Sequence, residues 1–523
     1  MAHVWEWRVN PAGRQSVPHT FLWLLLALFV AKGFVTALAF PAFSGHDEVA
    51  HYAYLRILAE EGRVPIIPEL DSWRDDYDAY GSDAVWDRMP DELYVYAHEG
   101  GNVTTYTTSD WYGGHTSPVW TISYDGGYYP SGWVYTGNHP PLFYALMTPM
   151  YHMVKHLEID QQLFMFRLAT IPFGMITIVL AYLTVRTLFP RDKFLAMTVP
   201  AFVAFQPQIS YESVMLNNDI LAIMLTSAVV WMLAVGLQKR FPWWICMAIG
   251  VLLGLAVLAK TTSLVVAALV AIAMIFGIGV RRWRQWLTKG ALTAAISGLL
   301  VFPWFVYMMV QYGDFTALNR VQTLQWWNYS SGSTPTIWRM LSNRWFHWDR
   351  FKETWGAFGW RRIQLDAYGD GTLLRVLLWI TIFAVVGLAI YGLRFLREQR
   401  EINAAEEAGH HLEAARDHRD ETLAIMPWQV TGILTMGVAC VLGYYAVLQF
   451  GTSFALTQAR YYFPMIVPAA ILFMLGIRSW FPRNWLAYVG AIVFVGLVAL
   501  NVIIYSAHVI PYWPSFIDGP PLP

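Results

Sequence analysis

Eleven apolar segments, each close to the ~20 residues that a helix needs to cross a bilayer, constrain the fold of this chain more than any other feature. Hydrophobic residues make up 56% of the 523 positions and charged residues only 14%, which is typical of a multi-spanning membrane protein. The chain is therefore predicted to be an all-α polytopic membrane protein. The predicted spans are residues 21–40, 163–188, 194–211, 219–237, 242–260, 262–280, 290–311, 372–394, 428–449, 460–477 and 484–508.

The charges between these spans predict the topology. Basic residues such as Arg281 and Lys289 concentrate in alternate connections, and the positive-inside rule makes that side cytoplasmic. Residues 141–154 are apolar but too short for a span, which suits a re-entrant or interfacial helix. If this segment crossed, Asp47 and Asp219 would lie on opposite faces. We expect that it does not cross, which places the amino terminus inside and the carboxyl terminus outside in a multi-pass protein of the cell inner (plasma) membrane.

Two long outer loops and a charged linker divide the chain. The short pieces Thr104–Thr108 and Thr121–Ser123 predict small hairpins in the first loop, and tryptophans crowd the second, where they suit the membrane interface or sugar faces. The predicted parts are a catalytic transmembrane module at 1–311 with its first outer loop at 41–141, a second outer loop at 312–371, and a C-terminal transmembrane module at 372–523 with a partly helical, mobile cytoplasmic linker at 395–427.

Several classes of function are disfavoured by composition. A net charge of −1 gives no reason to expect nucleic acid, and no glycine-rich phosphate loop or Rossmann fingerprint is present. Cys246 and Cys440 both fall in apolar runs, so the outer loops have no disulfide. The first span is longer than the core of a usual signal peptide, which favours an uncleaved signal anchor.

The stretch from Ser44 to Arg56 is the best candidate for chemistry. Asp47 and Glu48 follow the first predicted span, so two carboxylates lie where a membrane helix meets water. A carboxylate there can act as general base for an acceptor arriving from water while its co-substrate arrives from lipid. The alternative is a solvated helix start, where acids are favoured by the helix dipole.

Other polar motifs lie at predicted outer ends of spans, in a characteristic order. They are Asn138-His139-Pro140-Pro141, Arg167-Leu168, Asn217-Asn218-Asp219, the run from Gly254 to Lys260-Thr261, and Gln458-Ala459-Arg460-Tyr461. Together with Asp47-Glu48, this order resembles the GT-C superfamily of integral-membrane glycosyltransferases. The pattern is similar to the protein O-mannosyltransferases, the lipid A aminoarabinose transferases and a poorly characterised bacterial branch. The similarity covers residues 20–265 and, more weakly, 440–480.

The resemblance implies a function and roles for residues. It implies a polyprenyl-phosphate-linked sugar donor and three catalytic residues. Of these, Asp47 would be the base, Glu48 its neighbour in the same motif, and Asp219 a second acid that helps hold the acceptor or donor. Where the aminoarabinose transferases have lysine, this chain has His139, and a neutral histidine binds an anion less well. One base and one displacement predict inversion at the anomeric carbon, with an unidentified acceptor hydroxyl on a protein, lipid or glycan.

The residues themselves agree with a phosphate-linked donor. Because the leaving group is an anion, cations at the outer rim would stabilise the transition state. Lys260 and Arg460 lie there, and ionisable groups at membrane depth are costly enough to suggest a function; the alternative for both, and for Lys32 in the first span, is snorkelling to the interface. Donor phosphate binding is assigned to Arg460, Lys260 and His139, and substrate binding to His51, Asn138, Asn218 and Tyr461.

Three other interpretations remain open. His46, Asp47, Glu48 and His51 offer metal ligands within six residues, but only one Glu-x-x-His copy is present, so no cofactor is predicted. A transporter or flippase of lipid-linked saccharides would show symmetric halves with broken helices, which are not evident. A non-catalytic scaffold, or a subunit of a larger complex, would have no need of Asp47 and Asp219.

Overall fold

The apolar segments form helices, because a helix satisfies its own backbone hydrogen bonds where no water is present. The computed structural model describes residues 19–67, 121–124, 127–130, 134–323, 335–359, 361, 363–366, 371–407, 420, 422–423, 425–454 and 457–512. The helices are α1 His19–Ala39, α2 Glu48–Glu61, α3 Leu142–Val154, α4 Ile159–Leu188, α5 Lys193–Phe205, α6 Pro207–Glu212, α7 Asp219–Lys239, α8 Trp243–Ala259, α9 Val265–Ile278, α10 Trp283–Tyr312, α11 Leu318–Thr323, α12 Ile337–Leu341, α13 Arg344–Trp355, α14 Thr372–Glu407, α15 Pro427–Ser453, α16 Ile466–Arg478, α17 Leu486–Ile504 and α18 Ile510–Tyr512.

The predicted all-α polytopic architecture is confirmed. Within the described residues, nine helices, some extended by a 3₁₀ or π turn, are long and apolar enough to cross a membrane. The remaining two of the eleven predicted spans are the shorter apolar helices α5 and α8, of 13 and 17 residues. Residues 194–211 were expected to form one span, but α5 ends at Phe205. Pro207 starts α6 and forces the preceding residue, Gln206, into an extended conformation.

The segment expected to be interfacial forms α3, a helix of 13 residues. At 1.5 Å per residue this is about 20 Å, shorter than the ~30 Å hydrocarbon core, so its length agrees with the prediction that it does not cross. Its buried face packs on α2, where the rings of Tyr54 and Tyr144 stack with centroids 3.6 Å apart. The aromatic face of α3 therefore fixes α2, which follows Asp47.

Short strands occur in both of the long loops that were predicted to lie outside. Strands β1 Thr121–Tyr124 and β2 Gly127–Pro130 pair antiparallel, which confirms the hairpin predicted at Thr121. Strands β3 Ala357–Phe358 and β4 Ile363–Gln364 pair in the second loop. The hairpin predicted at Thr104–Thr108, and Trp326, Trp327 and Trp360 of the second loop, lie outside the described residues.

The charged linker begins as helix rather than loop, because α14 runs on to Glu407 and an exposed Arg397–Glu401 pair at 3.2 Å supports the extension. Asp420, near its other end, is held by Arg478 at 2.9 Å. The linker is thus helical as far as Glu407 and contacts the bundle at Asp420. Residues 408–419 lie outside the described part of the chain.

Candidate active site

Two acids and two cations from four separate elements meet in one chain of ion pairs at the rim of the bundle. Arg460 pairs with Asp47, its Nη1 lies 3.6 Å from Asp219 Oδ2, and Lys260 pairs with Asp219. Asp219 starts α7, and Lys260 directly follows the last residue of α8. The positive start of a helix favours a carboxylate and its negative end favours a cation, so the helix termini themselves support this arrangement.

The four charged side chains are largely buried, which strengthens the interactions between them. The exposed fractions of the side chains are 18% for Asp47, 7% for Arg460, 5% for Asp219 and 10% for Lys260. At this depth a Coulomb interaction is several times stronger than in water. Among the described residues, the buried Asp219 Oδ2 accepts no hydrogen bond, and its nearest cation is Arg460 Nη1 at 3.6 Å.

Asp47 is held from two sides. It precedes α2 in the left-handed backbone conformation, with φ at 59°, which aspartate tolerates better than most residues. Tyr135 donates a hydrogen bond to Oδ1 at 2.8 Å and Arg460 donates to Oδ2. Burial alone would raise the pKa of Asp47, but Arg460, and then His51, outweigh it and hold that pKa well below its usual range. Asp47 is therefore a carboxylate at neutral pH.

Glu48, although adjacent in sequence, is not part of the ion-pair chain. Arg167 forks onto both of its oxygens, at 2.9 and 2.6 Å, and the backbone N–H groups of Gly45 and Leu216 donate at 2.8 and 3.0 Å. Because the carboxylate is fully buried and accepts four hydrogen bonds, it has no capacity left for a substrate. A catalytic role was expected for Glu48, whereas its contacts favour a structural one.

We call the buried pair of Arg167 and Glu48 the anchor. Arg167 makes further contacts. It also donates to the carbonyls of Phe40 and Pro41, at 2.6 and 2.8 Å, where α1 ends. Gly45 is needed in this turn, because a Cβ at that position would overlap Glu48 and Met215. The anchor thus fixes the turn that presents Asp47.

The two predicted histidines share one tyrosine. His51 Nδ1 is 2.8 Å from Tyr144 Oη, and His139 Nδ1 is 3.4 Å from the same oxygen. Burial, outweighing the attraction of Asp47, lowers the pKa of His51 to about 4. Burial and the neighbouring His51 and Lys260 place the pKa of His139 well below its usual value. Both rings are neutral near pH 7, so His139 can offer an anionic ligand a hydrogen bond but not a positive charge.

The depressed pKa of His51 predicts how stability depends on pH. The unfolded chain, with a pKa near 6.5, takes up a proton on acidification before the folded chain, with a pKa of about 4. Stability is therefore lost as the pH falls from 6.5 towards 4, by at most about 1.4 kcal/mol per unit from this residue. Thermal unfolding in detergent between pH 4.5 and 7.5 should show a shallower slope for His51→Gln than for the unchanged protein. Equal slopes for the two proteins would contradict a lowered pKa of His51 in the folded state.

The remaining predicted residues divide into two groups. Tyr461 lies beside both cations, with its ring centroid 5.1 Å from Lys260 Nζ and 5.5 Å from the Arg460 guanidinium carbon. Asn218 donates to the carbonyl of Ala259 at 2.9 Å and so supports the residue before Lys260. Asn138 donates instead to the carbonyl of Thr316 at 3.3 Å, away from the ion pairs.

The four ligands proposed for a metal do not converge. His46 Nδ1 lies 3.2 Å from Glu212 Oε1, Glu48 is taken by Arg167, and His51 turns to Tyr144. In the part of the chain that the structure describes, no group of three or more His, Cys, Asp or Glu side chains is arranged to hold a metal ion.

Sequence reasoning missed two residues that position this site. Tyr135 lies three residues before the Asn138-His139 motif and could have been found only by its proximity to that motif. Glu353 lies in the second of the two long loops, 106 residues before Ala459, and accepts a hydrogen bond from the Ala459 amide. No local sequence pattern predicts this contact.

Residues 138–307 match the family model described as dolichyl-phosphate-mannose-protein mannosyltransferase. No curated protein matches the chain. Among solved structures, ArnT from Cupriavidus metallidurans bound to undecaprenyl phosphate is 14% identical with a TM-score of 0.45, over 96% of this chain and 75% of that one.

The oligosaccharyltransferase of Archaeoglobus fulgidus, in complex with Zn and sulfate, is 12% identical with a TM-score of 0.49, over 93% of this chain. The chain spans 53% of the length of that archaeal protein. The family match falls on the segment that carries the Asn138, Arg167, Asp219 and Lys260 motifs. The resemblance to the GT-C superfamily of integral-membrane glycosyltransferases, drawn from the ordered motifs, is confirmed by this family match over residues 138–307.

Proposed function

We propose that this protein transfers a sugar from a polyprenyl-phosphate donor to an acceptor hydroxyl at the outer membrane face. The observation that carries the proposal is the buried chain Asp47–Arg460–Asp219–Lys260, which puts bases and anion-binding cations side by side at the rim of a membrane bundle. A lipid-linked donor needs its tail in the bilayer and its phosphate at this level.

Arg460 and Lys260 would bind the donor phosphate. A guanidinium can fork two hydrogen bonds to a phosphate, and an ammonium adds a compact charge. Both cations are now paired with acids, so an arriving phosphate must compete for them. Their positive charge would then stabilise the anion that develops as polyprenyl phosphate leaves.

This competition would also prepare the base. While Arg460 holds Asp47, the pKa of that carboxyl is too low for efficient proton abstraction. Once a phosphate draws Arg460 away, the pKa of Asp47 rises towards its ordinary value and Oδ2 becomes free to accept a proton. Donor binding would therefore precede activation of the acceptor.

The reaction itself would be a single displacement. Asp47 takes the proton of the acceptor hydroxyl, the acceptor oxygen forms a bond to the anomeric carbon, and the bond from that carbon to the phosphate oxygen breaks. Polyprenyl phosphate departs with the electron pair. Attack opposite the leaving group inverts the anomeric centre, and Asp219 Oδ2, which lacks a hydrogen-bond partner among the described residues, would hold a substrate hydroxyl.

The direct test is conversion of a lipid-linked sugar. Purified protein in liposomes, given labelled polyprenyl-phosphate hexoses and membrane extract as acceptor, should release polyprenyl phosphate and yield an inverted glycoside. Movement of intact donor across the bilayer without release would favour a flippase. A stoichiometric co-purifying partner with neither activity would favour a scaffold.

Lys260→Met is expected to raise the donor KM by about 10- to 100-fold, because a charge-assisted hydrogen bond to a phosphate contributes about 1.5–3 kcal/mol. The matched control is Lys155→Met, since Lys155 is exposed beyond α3. An unchanged donor KM in Lys260→Met membranes would remove Lys260 from the phosphate site.

A further inference from the structure

The second outer loop places a buried carboxylate next to the ion-pair chain. Glu353 in α13 is 6% exposed. It accepts from Arg350 Nε and Nη2 at 2.7 and 2.8 Å, and Arg361 Nη2 lies 2.6 Å from Oε1. A carboxylate with two guanidinium partners in a buried setting has one preferred position.

The remaining contact of Glu353 reaches the site. Its Oε2 accepts a hydrogen bond from the backbone N–H of Ala459 at 2.8 Å. Ala459 begins the 3₁₀ helix Ala459–Met465, and the preceding Gln458 supplies no side-chain cap. Glu353, in α13, therefore caps the first amide of the 3₁₀ helix Ala459–Met465. Arg460 is the residue that follows this amide.

The contact between Glu353 and the Ala459 amide matters for Arg460 because one side of its guanidinium, at Nε, has no hydrogen-bond partner among the described residues. A cavity of about 10 Å³, bordered by Glu353, Arg361, Ala459 and Arg460, has room for about one water. The guanidinium is thus positioned by Asp47 and Asp219, by the neighbouring ring of Tyr461 and by its own backbone.

We infer that Glu353 is a positioning residue for Arg460, so that the second outer loop determines how tightly the donor phosphate is held. The inference rests on the proposed function, because it assumes that Arg460 binds that phosphate. Glu353 does not touch the donor itself. It acts by holding the Ala459 amide and hence the start of the helix that carries Arg460.

Binding of polyprenyl phosphate, measured with the full chain in nanodiscs, tests this without requiring turnover. Glu353→Gln should weaken binding by about three- to tenfold, the range of one buried hydrogen bond. In an Arg460→Ala background the same change should weaken binding less than twofold, because the residue through which Glu353 acts is gone. The matched control is Glu401→Gln, whose carboxylate lies in an exposed pair on α14.

A second variant approaches the same bond from its donor. Ala459→Pro removes the N–H, and the extended backbone of Gln458, at φ −122° and ψ 153°, suits a residue before proline. It should reproduce the weakening by Glu353→Gln, which covers the case in which Glu353→Gln fails to fold. Equal losses with and without Arg460, or unchanged binding in a folded variant, would overturn the role of Glu353. Failure of the unchanged protein to bind polyprenyl phosphate would instead overturn the proposed function, and this inference with it.

Discussion

Asp47→Asn is expected to lower kcat by about 10²- to 10⁴-fold while the protein folds normally, because it removes a general base and keeps the shape of the side chain. Asparagine can still accept from Tyr135, so the turn before α2 is retained. The donor KM should change little or fall, since Arg460 loses the carboxylate that competes with the phosphate. The measurement is release of polyprenyl phosphate at saturating donor, with thermal unfolding alongside.

The matched control for this variant is Asp160→Asn, an exposed acid in the first turn of α4. Asp160→Asn should leave kcat unchanged. Full transfer by Asp47→Asn would end the assignment of Asp47 as base. If Asp219→Asn alone abolished transfer, the base would be Asp219, the acid of the pair with an oxygen that lacks a hydrogen-bond partner among the described residues.

Much of this site could be predicted from sequence because the membrane restricts charged residues to the ends of the spans. Asp219, Lys260 and Arg460 all lie at helix ends, so the predicted span boundaries and the predicted topology already bring them to one end of the bundle. Charged residues inside an apolar chain are few, and those at a shared depth have a limited choice of partners. The ion pairs of Arg460 and Lys260 with the two aspartates follow from this small number of available partners.

Adjacent acids could not be told apart in the same way. Asp47 and Glu48 share a pattern and a depth, and only the left-handed turn at Asp47 sends their side chains in different directions. That turn depends on Gly45 and on Arg167, more than a hundred residues away. Similarly, nothing local to Glu353 or Ala459 predicts that they meet. Contacts between loops and distant helix ends follow from packing, which periodicity does not report.

Arg167→Met is expected to lower the free energy of unfolding by about 3–5 kcal/mol, because it leaves the Glu48 carboxylate buried without its cation. Glu48 is fully buried and its exposed fraction is 0%, so water cannot replace the lost partner. The amides of Gly45 and Leu216 remain, but neutral donors compensate a buried charge only in part. Thermal unfolding in detergent should show a large fall in the midpoint.

The double variant Arg167→Met/Glu48→Gln separates charge from packing. With both charges removed, no carboxylate is left buried without its cation, and one of the two amides can still donate to the glutamine oxygen. The double variant should therefore be more stable than Arg167→Met alone. Arg63→Met, which breaks an exposed pair with Glu61 at 2.7 Å, should cost less than about 1 kcal/mol. If Arg167→Met behaved like Arg63→Met, the anchor would not hold the turn. Asp47 would then owe its position to Tyr135 and Arg460, the two residues that contact it directly.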